Sequence, residues 1–94
     1  MRVEWHPLAY ADLANLVAYI AVDNPSAAYH VHEDIRTQTE VLAMHAEIGR
    51  RGRVRGTREL VVTGTPYIVA YRIAGDVVTV LRVLHGARRW PEKL

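Results

Sequence analysis

The chain is 94 residues long, half of them hydrophobic, with a net charge of +2 and no cysteine. That length fits one domain, residues 1–94, with a modest core, and the hydrophobic fraction argues against disorder. Absence of cysteine excludes disulfides, thiolate catalysis and Cys-ligated zinc. No charged n-region followed by a long apolar stretch opens the chain, and no apolar run approaches bilayer length, so a cytoplasmic protein without a membrane partner is expected.

The first element, Arg2 to His6, alternates, with Val3 and Trp5 on one side, and reads as a strand at or beside a sheet edge. Pro7 suits the first position of a helix, where its missing N–H would be unpaired anyway. Leu8 to Val22 then places Leu13, Leu16, Val17 and Ile20 at helical spacing. Asp23-Asn24-Pro25-Ser26 stops this helix and starts another, with a capping residue ahead of a proline. The second helix is expected from Pro25 to about Ala46, with Ala28, Val31, Ile35 and Leu42 as its apolar stripe. So short a link makes the pair an antiparallel hairpin.

Gly49 to Thr57 holds four arginines (Arg50, Arg51, Arg53, Arg55) and three glycines in nine residues, and Arg58 follows. One reading is a solvated link, in which serine replacements leave folding nearly unchanged. The other is a basic rim that meets nucleic acid phosphate or an acidic protein partner.

Three strands complete the chain. Glu59 to Thr63 is the first and ends at Gly64-Thr65-Pro66, since proline offers no N–H to a ladder. Tyr67 to Ala74 and Val77 to His85 follow, separated only by Gly75-Asp76, a two-residue hairpin signal. Pairing Ala74 with Val77 sets Arg72 opposite Thr79, Val69 opposite Arg82 and Pro66 opposite His85. Alternation then puts Tyr67, Val69, Tyr71, Ile73, Val78, Val80, Arg82 and Leu84 on one face, with Val83 and His85 among those on the other. Neither face is polar, so both need cover, and one helical hairpin supplies only one. The expected fold is α+β, in the order β-α-α-β-β-β, a helical hairpin on a small twisted antiparallel sheet.

The string R-x-x-G-T-R-E-L (Arg53 to Leu60), then P-Y-I-V-A-Y-R (Pro66 to Arg72) and V-L-R-V-L-H-G-A-R-R-W-P (Val80 to Pro91) resembles the RelE/ParE superfamily. Its members are the toxins of bacterial type II toxin–antitoxin modules. The opening from Trp5 to Leu13, Tyr19-Ile20 and Asn24-Pro25 fit the same pattern, so the resemblance covers nearly the whole chain. It implies an antitoxin partner, carrying a DNA-binding domain, that covers the exposed apolar surface. It also implies one of two activities, ParE-like poisoning of DNA gyrase or RelE-like ribosome-dependent cleavage of messenger RNA. The ending L-H-G-A-R-R-W-P looks more like the ParE side, with Trp90 near where the nuclease pattern carries a catalytic tyrosine. An indole N–H donates a hydrogen bond but does not exchange protons near neutral pH.

Metal-independent RNA cleavage by a 2′-hydroxyl needs a base, an acid and cations over the phosphate. Arg58, Arg82, His85 and Arg88 are the candidates for that set. The hairpin register points Arg82 and His85 to opposite faces unless a bulge intervenes, which favours binding over chemistry. His85 then reads as a strand-end histidine bonded to backbone. Target or antitoxin binding falls to Arg50, Arg51, Arg53, Arg55 and Arg58, and to Arg88, Arg89 and Trp90 in the tail, where an aromatic beside arginines has the composition of an interface anchor. Tyr67 and Tyr71, sharing a face with Arg82, read as packing residues. No metal or cofactor is expected, since His30 and His32 lie about 200° apart around a helix and cannot share an ion.

Overall fold

The computed structural model describes all 94 residues. In chain order it contains β1 (Arg2–Trp5), α1 (Pro7–Asp23), α2 (Pro25–Glu40), a 3-10 turn (Val41–Ala43), β2 (Arg50–Arg51), β3 (Arg58–Val61), β4 (Tyr67–Ala74) and β5 (Val77–His85). Both helices start as their sequence requires. His6 Nδ1 accepts from the Leu8 N–H at 3.1 Å ahead of Pro7, and Asn24 Oδ1 accepts from the Ala27 N–H at 3.0 Å ahead of Pro25. Each cap satisfies one of the donors that a helix start leaves free.

The α+β class is the expected one, and the sheet differs from expectation at two points of strand arrangement and, further on, in register. Its strand order is β1-β5-β4-β3-β2, and β1 runs parallel to β5, with Val3 beside Val78 and Trp5 beside Val80. The sheet is therefore mixed rather than antiparallel throughout. The second difference is β2: Arg50 and Arg51 form an edge strand against Glu59 and Arg58, in a stretch for which no strand was expected.

α2 ends at Glu40, short of the expected Ala46. Thr39 Oγ1 donates to the Ile35 carbonyl at 2.6 Å inside the last turn, a back-bond that weakens helix continuation. The chain then tightens into the 3-10 turn, which carries Leu42 into the core. The early stop has a structural use. It lets residues 46–49 reach the buried Tyr71 ring, where Tyr71 Oη donates to the Ala46 carbonyl at 2.7 Å and accepts from the Gly49 N–H at 2.9 Å. Burial pushes the Tyr71 hydroxyl pKa up. A Cβ at position 49 would collide with the Tyr71 ring and the Glu59 carbonyl, so glycine is required there.

The β4–β5 hairpin turns at Gly75, whose φ of +60° is the positive angle that a first central residue of a type II′ turn adopts. Its register is as expected from Ala74–Val77 to Tyr71–Val80. A bulge at Leu81 then shifts it by one residue, so Ala70 faces Arg82 and Tyr67 faces His85. Beyond the bulge the faces exchange. Val83 joins Val78, Val80, Val69 and Tyr71 in the core beneath the helices, while Arg82 leaves the face of Tyr67 and Tyr71 to which alternation assigned it. The cause lies in α1: the Asp12 carboxylate accepts from the Val83 N–H at 3.0 Å, beyond the reach of β1 along this edge.

The face of the sheet away from the helices is partly covered by the chain itself. Ala70 and Glu59, paired across β3 and β4, are 0% and 3% exposed there. Val61 on the same face is 49% exposed. Outward apolar surface is more extensive on α1, where Leu8, Tyr19 and Val22 are exposed. No helix is long and apolar enough to cross a membrane.

Candidate functional site

The arginine-rich stretch divides into two sets with different work. Arg50 and Arg53 converge on Glu59, whose side chain is only 2% exposed. Glu59 Oε2 accepts from the Arg53 backbone N–H at 2.7 Å and from Arg53 Nε at 3.2 Å, and Oε1 accepts from Arg50 Nη2 at 3.0 Å. Burial alone would push the Glu59 carboxyl up; the hydrogen bonds from Arg53 and Arg50 outweigh it and hold the pKa below the ordinary value. These two arginines are therefore structural as well as basic, which departs from the expectation that serines replacing the whole set leave folding nearly unchanged. The role of Glu59 is not evident from its place at the start of a strand. A signal was present, because Glu59 is the only acidic residue between Glu47 and Asp76.

The second set faces outward. Arg51, Arg55 and Arg58, with Gly52, Gly56, Thr57 and Ile73, line an open concavity of about 460 Å³. Arg51 and Arg55 have no carboxylate partner. Arg58 Nη1 donates to the carbonyls of Gly49 at 2.8 Å and Glu47 at 3.2 Å, which fixes its guanidinium at the rim.

A second cavity, of about 310 Å³, lies between α1 and the C-terminal tail. Asp12, Asn15 and Tyr19 form its α1 side, Tyr67 and His85 its floor, and Arg88, Arg89 and Trp90 its outer wall. The tail is fixed by its own polar contacts. His85 Nδ1 accepts from the Ala87 N–H at 3.1 Å, and the His85 carbonyl accepts from the Arg88 N–H at 3.1 Å and from Trp90 Nε1 at 3.0 Å. The Arg53 guanidinium carbon stands 3.6 Å from the centroid of the Trp90 ring, so loop and tail meet although 37 residues (90 − 53) separate them in sequence.

The four residues proposed for RNA cleavage are not brought together. Arg82 Nε and Nη2 donate to the two oxygens of Asp12 at 2.7 and 2.9 Å, a bidentate pair that raises the Arg82 pKa further. Arg58 lies beside Tyr71, and His85 beside Tyr67, four residues and roughly 13 Å further along β4. Arg88 shares the tail cavity with His85 alone of the set. The bulge that could have aligned Arg82 with His85 precedes both, at Leu81, and leaves them on opposite faces. His32 Nδ1 pairs with Glu33 at 3.1 Å, and no three His, Asp or Glu side chains cluster as a metal site would need.

Residues 3–90 match the family model of the ParE toxin of the type II toxin–antitoxin system parDE. Among similar proteins, Y4kP of Sinorhizobium fredii, named as a toxin, is 42% identical over 93 residues, covering 99% of this chain and 96% of its own length. Toxin RelE3 of Caulobacter vibrioides is 35% identical over 89 residues, covering 93% of this chain and 96% of the relative. A solved chain of the chromosomal ParDE toxin–antitoxin system from P. aeruginosa superposes with a TM-score of 0.80 at 28% identity, over 88% of this chain and 92% of that one. Sequence, fold and element order agree, and the chain belongs to the ParE toxin family of type II toxin–antitoxin systems, within the RelE/ParE superfamily.

Proposed function

We propose that this toxin acts by binding, in the ParE manner, with DNA gyrase as its target and no bond-breaking step of its own. The observation that carries this reading is the Asp12–Arg82 pair. It occupies one of the three candidate guanidiniums for a scissile phosphate, in a partly buried bidentate geometry that is costly to open. Among the cations without a carboxylate partner, Arg51 and Arg55 at the concavity and Arg88 and Arg89 on the tail suit recognition of an acidic surface. Trp90, half-buried against Arg53, is the anchor.

A type II module implies an antitoxin. We assign its docking to the exposed apolar residues of α1, Leu8, Tyr19 and Val22, and to Val61 on the open sheet face, with acidic residues meeting Arg51 and Arg55. In this reading the antitoxin also carries the DNA-binding domain of the module.

Cells expressing the toxin without its antitoxin test the mechanism. His85→Gln is expected to stay toxic, because His85 serves the tail through its backbone and a ring acceptor, and glutamine retains an acceptor. Trp90→Ala, or removal of the residues after Gly86, is expected to abolish toxicity, as loss of an interface anchor does. A second reading, ribosome-dependent cleavage of messenger RNA, is favoured by the names of the Caulobacter relatives RelE2, 36% identical, and RelE3. It predicts the opposite pattern: loss of toxicity by about 10²–10⁴-fold in His85→Gln, as for removal of a general acid or base.

A further inference from the structure

Glu59, Arg53 and Trp90 form a continuous stack through which the arginine loop holds the tail. Glu59 is nearly enclosed and fixed on β3, and both its oxygens are occupied by Arg53 and Arg50. Arg53 is gripped at two points, its backbone N–H and its guanidinium, so the plane of that guanidinium is set by the strand beneath it. A guanidinium lying on one carboxylate presents its open face outward, and there the Trp90 ring sits at 3.6 Å. Cation–π contact is favourable in this arrangement, and the indole N–H, bonded to the His85 carbonyl, fixes how the ring is turned. Trp90 in turn forms, with Arg88 and Arg89, the outer wall of the cavity beside α1.

We infer that Glu59 is a positioning residue for target binding, which acts through Arg53 to hold Trp90 and so to present Arg88 and Arg89 from a fixed wall rather than a loose tail. The inference rests on the binding reading given above. It adds that the loop and the tail are one surface. Glu59 touches no target itself: without its charge, Arg53 loses the partner that orients it, and Trp90 loses the cation on which it rests. Holding the wall in place before binding removes an ordering cost that a free tail would incur at the target.

The two tryptophan indole N–H signals in a ¹H–¹⁵N spectrum of the full chain separate the possibilities. Trp5, stacked on Tyr10 with centroids 5.5 Å apart, reports the fold, whereas Trp90 reports the tail. In Glu59→Gln the Trp90 signal is expected to move toward its position in the unfolded chain while that of Trp5 stays, and inhibition of gyrase to weaken roughly tenfold, the scale of a lost cation–π contact of about 1–2 kcal/mol. Arg53→Gln, which leaves Glu59 paired with Arg50, is expected to do the same, and keeps the test decisive if Glu59→Gln unfolds. Arg53→Lys, which keeps the cation, is expected to restore much of both signals. An unmoved Trp90 signal in folded Glu59→Gln or Arg53→Gln overturns the inference, as does full inhibition by those variants when Trp90→Ala has lost it. If Trp90→Ala inhibits gyrase as well as the parent, the assignment of the tail to target binding fails on its own, and with it the positioning role.

Discussion

At the scale of single residues, charge pairing decides which arginines are available. Arg2, Arg36, Arg50, Arg53 and Arg82 each have a carboxylate partner, whereas Arg51, Arg55, Arg88 and Arg89 have none. The same residue type in one short stretch therefore has two consequences. Arg51→Ser and Arg55→Ser are expected to change stability by less than about 0.5 kcal/mol, as exposed substitutions do. Arg53→Ser exposes a buried carboxylate to loss of its main donors and should cost about 1–3 kcal/mol. The pH profile carries the same signature. Because the folded-state pKa of Glu59 lies below the ordinary 4.5, its contribution is complete above that value and is lost as pH falls through the folded pKa. Thermal melts across pH 3 to 7 should show this acid limb flattened in Glu59→Gln, and an unchanged limb would remove Glu59 from the account.

Elements were legible in the sequence where local chemistry fixes them. Pro7, Asn24-Pro25 and Gly75-Asp76 set both helix starts and the main hairpin, and the register held as far as Tyr71–Val80. What was hidden depends on partners remote in sequence. The bulge at Leu81 arises because Asp12, on α1, takes the Val83 N–H, and nothing in the run Val80 to Leu84 announces it. The parallel pairing of β1 likewise depends on where the helical hairpin returns the chain. Of the candidate site, the cationic character of loop and tail was readable, but not the contact between them, since Arg53 and Trp90 meet only through the folded sheet. The Asp12–Arg82 pair ties α1 to β5 and invites its own test. Asp12→Asn should lower stability by about 1.5–3 kcal/mol in chemical denaturation, the range for hydrogen bonds to charged groups. A loss below about 0.5 kcal/mol would mean that the pair contributes little and that Arg82 is free for other work.

At the scale of the whole molecule, a two-helix hairpin covers one sheet face, and the arginine loop and tail partly cover the other. Of the cations without a carboxylate partner, Arg51 and Arg55 lie at the open concavity, Arg88 and Arg89 on the tail and Arg72 on β4, while apolar side chains project from α1. That distribution suits a protein that is held by one partner and acts on another by surface contact. The most direct test is a purified, antitoxin-free toxin assayed in parallel against DNA supercoiling by gyrase and against a programmed translation extract. The account predicts inhibited or trapped gyrase, weakened by Trp90→Ala and not by His85→Gln, with messenger RNA left intact. Ribosome-dependent cuts in the messenger that disappear with His85→Gln, alongside unimpaired gyrase, would contradict it.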